Sequence, residues 1–170
     1  MKKTILLLAT LMFAAISFAQ TFPEVPFTSD SDHFSTTFFN APIQSNYKGC
    51  KSYQSSYEKV TCTVSVYQEN TETAKNGADK FIDYLKDKYG KKNLIKDKKS
   101  KLPNVKDDNS FFVVQFEGNL DNTAVMHVFM HDKKLFYIEY EYPSTMSTGS
   151  DIGGFMDFEM KYFDSFKFTN

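Results

Sequence analysis

The chain has 170 residues, of which 24% are charged and 16% are aromatic, and its formal net charge is −1. All 20 basic residues are lysine, so the chain lacks the planar guanidinium fork on which sequence-specific nucleic-acid recognition relies. These features argue against nucleic acid as a partner. The high content of Phe and Tyr favours a protein rich in β-sheet.

The N-terminus has the pattern of a secretory signal peptide at residues 1–19. Two lysines precede an apolar run at residues 4–16, and small residues lead to a predicted cleavage site between Ala19 and Gln20. The run is shorter than the roughly 20 residues that span a bilayer, and no cysteine for acylation follows the cut. We therefore expect a periplasmic or secreted protein without a stable membrane anchor, with residues 20–170 forming a single domain.

The first part of the mature chain is expected to be mostly strand. Aromatic and β-branched residues at 34–39 predict a first strand after an extended lead-in at 20–32. Residues 46–53 and 59–67 predict a hairpin that turns at residues 54–57.

Both cysteines of the mature chain fall in this predicted hairpin. Alternation of apolar and polar residues places Cys62 on the core-facing side, and a symmetric hairpin would place Cys50 opposite it, with a bulge at Gly49. In an oxidising compartment this predicts a disulfide between Cys50 and Cys62, which would stabilise the fold by about 3 kcal/mol. A buried free thiol is the alternative.

A helix and a lysine-rich connection are predicted next. Asn70 can cap a helix that begins at Thr71 and ends at Gly90, with an apolar stripe that must lie on a sheet. The segment 91–109 is expected to be a solvated connection that contains an edge strand protected by lysine. The alternative is a lysine-rich site for an acidic surface.

The C-terminal part predicts an antiparallel meander followed by a second helix. Strands are expected at residues 110–117, 123–131 and 134–142, and both faces of these strands carry apolar residues. Such a sheet must be covered on both sides, and a helix at 151–164 can supply the second cover. A short strand at 166–168 closes the chain. The predicted fold is α+β, with a mainly antiparallel sheet of about six to seven strands between helices, an α/β/α sandwich.

Four polar residues on neighbouring strands form the candidate surface site. His127 and His131 are about 13 Å apart along one strand, too far to share a metal ion without ligands from a neighbouring strand. Glu139 and Glu141 are about 7 Å apart on the next strand, within the range for the carboxylate pair of inverting glycosidases. The alternative is that all four are ordinary strand residues. No nucleophile turn, phosphate loop or set of metal ligands is evident, so we expect no catalytic, cofactor or metal site.

Methionines suggest a different kind of site. Adaptable thioethers together with many Phe can line a cavity for a small apolar ligand, although such residues are also ordinary core. The methionines concerned are Met126, Met130, Met156 and Met160.

The order of elements resembles that of the PsbP-like and Ran-binding Mog-type proteins, a family of small α/β/α sandwiches. The segments that carry the resemblance are 34–42, 67–69, 134–137 and 163–166. The resemblance implies a non-catalytic binding or assembly role, and it transfers no individual functional residue. The start of the mature chain also resembles exported proteins of the Bacteroidetes group.

Three functions follow from these observations. The leading expectation is an exported, non-catalytic binding or assembly protein of the cell envelope, whose partner is an unknown envelope protein. The alternative is a carrier of a small apolar ligand. The third is a weak envelope hydrolase that uses the two histidines and two glutamates of the candidate surface site.

Overall fold

A computed structural model describes residues 22–97, 101–103, 105–117, 120–144, 146 and 152–169. The predicted signal peptide lies outside these residues. In chain order the elements are β1 Val25–Ser29, β2 Phe34–Phe38, β3 Ile43–Tyr47, β4 Cys50–Tyr57, β5 Val60–Tyr67, α1 Glu72–Tyr89, β6 Leu94–Lys96, β7 Asn109–Glu117, β8 Leu120–His131, β9 Lys134–Pro143, α2 Ile152–Asp164 and β10 Lys167–Phe168.

Seven of the strands form one antiparallel sheet, in the order β3-β4-β5-β9-β8-β7-β6. A second, three-stranded sheet has the order β1-β2-β10 and is also antiparallel. The prediction of an α+β fold with an antiparallel sheet of six to seven strands is confirmed.

Both faces of the large sheet are covered, because its central strands are apolar on both sides. On one face α1 packs Phe81 and Leu85 against Met126 and Leu135, which forms the smaller core. The other face carries the larger, aromatic core beneath α2 and the three-stranded sheet. The second cover is therefore a helix, as the sequence predicts, together with a small sheet.

Helix α1 is where the sequence predicts it, with one change at its start and a break inside. Thr71, rather than Asn70, is the N-cap, and its hydroxyl oxygen accepts a hydrogen bond of 3.1 Å from the backbone N–H of Ala74. Gly77 has φ of 80° and ψ of 176°, which interrupts the helix, and Gly90 ends it.

The predicted turn at residues 54–57 is wrong, because the chain makes two tight hairpins in this region. Lys48 and Gly49 both have positive φ and form a two-residue turn between β3 and β4. Glu58 and Lys59 form the turn between β4 and β5. Gly49 thus serves a turn rather than the predicted bulge.

This register also makes the predicted disulfide between Cys50 and Cys62 wrong. Cys62 lies opposite Ser55, and Cys50 lies opposite Tyr67. Cys50 is thus five positions along β4 from the partner of Cys62, about 17 Å away and on the other face of the sheet, whereas bridged Cα atoms lie within about 7 Å. Both thiols are free. Cys62 is fully buried in the larger core, so its predicted core-facing orientation is confirmed.

The remaining elements match the sequence with small differences. The lead-in contains a strand, β1, that the sequence analysis misses, and β6 is the predicted edge strand within 91–109. The described lysines of that segment are exposed. Helix α2 begins at Ile152, while the predicted first residue of this helix, 151, lies outside the described residues.

Candidate functional site

The large sheet separates the two histidines from the two glutamates of the predicted surface site. Residues opposite each other on neighbouring strands share a face, and His127 lies opposite Ile138 on the side of the larger core. Glu139 lies opposite Met126 and Glu141 opposite Ala124, both on the side of α1. The four side chains therefore do not converge on one cleft.

Each of the two glutamates and the half-buried His131 has a local partner. Glu139 accepts a hydrogen bond of 2.7 Å from the hydroxyl of Tyr137, and burial, together with the charge of Glu141, raises the pKa of Glu139. Glu141 accepts a hydrogen bond of 2.9 Å from the side-chain amide of Asn122. His131 stacks on Phe168, with ring centroids 3.4 Å apart.

His127 belongs to a buried polar cluster that sequence reasoning does not find. Its Nδ1 lies 2.7 Å from Oδ2 of Asp108, which also accepts a hydrogen bond from the backbone N–H of Leu102. Ser110 lies directly across the ladder from His127. The pairing register of β7 and β8 brings these residues together. In the sequence, the only signal for that register is the number of residues between the two strands.

The composition of this cluster is that of a Ser-His-Asp triad, but its geometry differs. A nucleophile must be within hydrogen-bond reach of its base and accessible to a substrate. Within the described residues, Ser110 Oγ and His127 Nε2 have no hydrogen-bond partner, and both residues are almost fully buried. The cluster instead links Leu102 and Asp108 to His127 of β8.

An apolar pocket of the larger core lies beside α2. It is lined by Tyr140, Tyr142, Met146, Phe155, Met156 and Glu159. Its volume is about 10 Å³, which is about enough for a single water molecule. Burial and the charge of Asp97 raise the pKa of Glu159 to about 7.

The four methionines do not gather around this pocket. Met126 and Met130 belong to the core under α1, on the opposite side of the large sheet. Met156 and Met160 lie on the exposed side of α2. The four methionines that suggest a site for a small apolar ligand therefore do not line one common cavity.

A buried carboxylate, Asp32, organises the most extensive polar network among the described residues. Its side chain is fully buried in the turn between β1 and β2. It accepts hydrogen bonds from the hydroxyl of Tyr53 at 2.6 Å and from the side-chain amide of Gln68 at 2.9 Å. The ammonium groups of Lys51 and Lys134 lie 3.3 Å and 3.1 Å from its oxygens.

These contacts keep Asp32 ionised. Burial alone would raise the pKa of Asp32, but hydrogen bonds from Tyr53, Gln68 and Lys134 outweigh burial and lower the pKa to about 2. The carboxylate thereby fastens the small sheet to β4, to the end of β5 and to the start of β9.

A polar pocket opens beside this network at the edge of the large sheet. We call it the Asp32 pocket; it is lined by Ser31, Gln44, Ser45, Asn46, Lys51 and Tyr53. Its volume is about 330 Å³, within the range of small-ligand sites. Three of the lining side chains, those of Ser31, Lys51 and Tyr53, contact the Asp32 carboxylate and are held in place by it.

A second groove of about 300 Å³ lies on the other face of the sheet, between α1 and β5. It is lined by Tyr67, Thr73, Asn76, Lys80, Phe81 and Tyr84. Lys80 and Asn76, two of its polar lining residues, are joined by an exposed hydrogen bond of 3.1 Å. The Asp32 pocket is the more firmly organised of the two.

Strand β3, which forms one wall of the Asp32 pocket, is an open edge of the large sheet. All five of its residues are exposed, and among the described strands only β4 pairs with it. Ile43 is 78% exposed and Tyr47 is 70% exposed. An edge strand of this kind presents unpaired backbone N–H and C=O groups.

The fold and the site thus define an α+β protein in which the exposed edge strand β3 lies beside a polar pocket. Over the described part of the chain, no helix is long and apolar enough to cross a membrane, and no group of three or more His, Cys, Asp or Glu side chains is placed to hold a metal ion. The chain matches no family model and no curated protein. The resemblance to the PsbP-like and Ran-binding Mog-type family stays a prediction.

Proposed function

We propose that this protein is an exported, non-catalytic binding protein that holds an extended segment of another cell-envelope protein along β3. The observation that carries the proposal is the full exposure of β3 at the edge of the large sheet. Export rests on the predicted signal peptide at residues 1–19.

Hydrogen-bonding groups of β3 point outward at alternate residues. Tyr47 and Cys50 flank a two-residue turn, so they form a hydrogen-bonded pair, and the pattern alternates along the strand from there. The backbone N–H and C=O groups of Gln44 and Asn46 consequently point away from β4. An added strand can pair with these four groups, as in β-strand addition.

The opposite edge of the sheet is protected, which favours β3 as the binding edge. Strand β6 has only three residues and ends in Lys96, and exposed Lys91 and Lys92 precede it. Short edge strands and lysine oppose pairing with another chain. Strand β3 contains neither lysine nor proline.

Side chains of β3 can contribute contacts on both faces. Ile43 and Tyr47 lie on the α1 side, where their exposed apolar surface can be buried by alternate side chains of an added strand. Gln44 and Asn46 lie on the other side, above the Asp32 pocket. Backbone pairing then supplies affinity, and the pocket supplies specificity.

A random peptide library displayed on phage, selected on the mature protein, tests the proposal. Selected peptides should protect the amide protons of Gln44 and Asn46 from hydrogen exchange. Gln44→Pro removes an outward donor without removing a bond to β4, and it should weaken binding by about tenfold or more. Gln44→Ala, which keeps the backbone N–H, should bind almost normally.

Peptides that protect no β3 amide, or that bind Gln44→Pro and the wild type equally, would overturn the proposal. Concentration-dependent dimerisation that Gln44→Pro abolishes would also contradict it, because the edge would then serve a second copy of the chain. Sedimentation velocity of the two variants separates these cases.

The two other functions have less support. The apolar pocket beside α2 has room for about one water molecule, which is far below the size of a ligand site. The histidines and glutamates that a hydrolase would use lie on opposite faces of the sheet.

A further inference from the structure

The Asp32 network holds more positive than negative charge. Lys51 and Lys134 both lie against the single carboxylate of Asp32, which leaves a formal surplus of one positive charge. The side chains of these lysines keep 29% and 19% of their surface in contact with solvent. The surplus charge can therefore reach a bound group.

Lys51 brings this charge to the Asp32 pocket. An ammonium group has three N–H donors. The Nζ of Lys51 lies 3.1 Å from Ser31 Oγ and 3.3 Å and 3.5 Å from the two carboxylate oxygens of Asp32. The two longer contacts go to one carboxylate, so one donor can be shared with a ligand. The fully buried Asp32 fixes the position of the ammonium group.

The rest of the pocket wall is neutral and suited to hydrogen bonding. Gln44 and Asn46 provide amide groups, and Ser31 provides a hydroxyl group. Among the described residues that line the pocket there is no carboxylate, and Lys51 is the only charged one. A small group with negative charge and several acceptor oxygens complements such a wall.

We propose that the Asp32 pocket binds an oxyanion, a carboxylate or phosphate group, with Lys51 as its cationic partner. The group is carried either by an acidic residue of the extended segment on β3 or by a free small molecule. A segment paired with β3 places alternate side chains on the same face as Gln44 and Asn46, so an Asp or Glu there can reach toward Lys51. The peptide source rests on the proposed function, whereas the free-anion source does not.

A second copy of this chain fits the pocket less well than an acidic segment does. The stretch 41–49, which contains β3, has no Asp or Glu and contains Lys48. Pairing two copies of β3 would therefore bring no negative charge to Lys51. Charge complementarity favours a different, acidic partner segment.

Titration with acetate and with inorganic phosphate at constant ionic strength, followed by amide NMR shifts, tests the site directly. Saturable shifts are expected at Ser31, Asn46 and Lys51, and neutral acetamide should give none. Lys51→Gln should weaken binding about tenfold or more. Lys48→Gln is the matched control, because Lys48 lies in the adjacent turn and does not line the pocket.

If Lys51→Gln does not fold, Asn46→Asp serves the same purpose. It places a negative charge at an exposed position of the pocket wall, and it should abolish anion binding without disturbing the core. Equal responses to acetate and acetamide, or anion binding that neither Lys51→Gln nor Asn46→Asp changes, would overturn the inference.

Peptide selection on the wild type and on the Lys51→Gln variant identifies the source of the anion. Enrichment of Asp or Glu at alternate positions on the wild type alone points to a peptide. Binding of free anions without that enrichment points to a small molecule, and it supports the site even if no peptide protects β3. Peptides that pair with β3 without acidic preference, together with no response to free anions, would overturn this inference and leave the proposed function standing.

Discussion

Replacing Asp32 with Asn tests whether the buried carboxylate stabilises the fold through its charge. Asn is nearly the same size, and its single amide oxygen can accept the hydrogen bond from Gln68 while its NH2 group donates to the hydroxyl of Tyr53. It cannot attract Lys51 and Lys134. The substitution therefore removes the negative charge together with one acceptor oxygen, and the pH dependence of its effect reports the contribution of the charge.

The magnitude follows from the pKa of Asp32. A pKa lowered from 3.8 to about 2 corresponds to about 2 kcal/mol of additional stability at neutral pH. Because the folded-state pKa is below the unfolded value, this contribution is fully present above the unfolded pKa. It is lost as the pH falls through about 4 toward 2.

Urea unfolding of the wild type and Asp32→Asn at about pH 7, 4 and 3 measures this difference. The free energy of unfolding of the variant should be lower by about 2 kcal/mol at pH 7 and pH 4 and by only about 1 kcal/mol at pH 3, because the contribution disappears as the pH falls to about 2 and below. Asp30→Asn is the control, since Asp30 is exposed two residues away and should change stability little at any pH. A loss that is equally large at every pH would refute the reasoning, because it would show that the charge of Asp32 is not the cause.

Three further substitutions test other features. Burial raises the pKa of Glu159 from 4.5 to about 7, so stability should fall as the pH rises through this range. Glu159→Gln should therefore add about 3 kcal/mol to the unfolding free energy near pH 8 and almost nothing near pH 4, and an equal gain at both would contradict this. Gly49→Ala should destabilise by more than about 1 kcal/mol in thermal or urea unfolding, because φ is +80° and the new Cβ would lie 2.5 Å from Cγ2 of Thr71. Thr71→Ser, which keeps the capping hydroxyl, should relieve part of that loss, and no relief would show that the steric argument fails. Lys133→Gly should raise the melting temperature by removing about 1 kcal/mol of strain at φ of 61°, and Lys133→Ala should not.

Periodicity predicted the parts of the fold in which local pattern and burial agree. The alternation through β5 placed Cys62 in the core, and the doubly apolar strands β8 and β9 indicated a sheet covered on both faces. The helical stripe and terminal glycine located α1 to within one residue. These signals are local, so a single sequence carries them.

Register and long-range contacts were harder to predict. Lys48 adopts φ of 49°, which lysine rarely does, so only Gly49 marked the turn, and the two hairpins were merged into one. The merged hairpin wrongly places Cys50 opposite Cys62. The Asp32 pocket was not predicted because its parts come from the β1–β2 turn, β3 and β4, and no short motif unites them.

The large sheet divides the interior into a larger and a smaller core, and this division determines which part of the molecule can unfold locally. Helix α1 contributes only to the smaller core, and its hydrogen-bond ladder is already interrupted at Gly77. The small sheet and α2 are joined through the larger core. Detachment of α1 would therefore expose one modest apolar face and leave β3 and its pocket intact. We expect α1 to act as a separate cooperative unit whose amides exchange by local opening, while those of β8 and β9 exchange only on global unfolding.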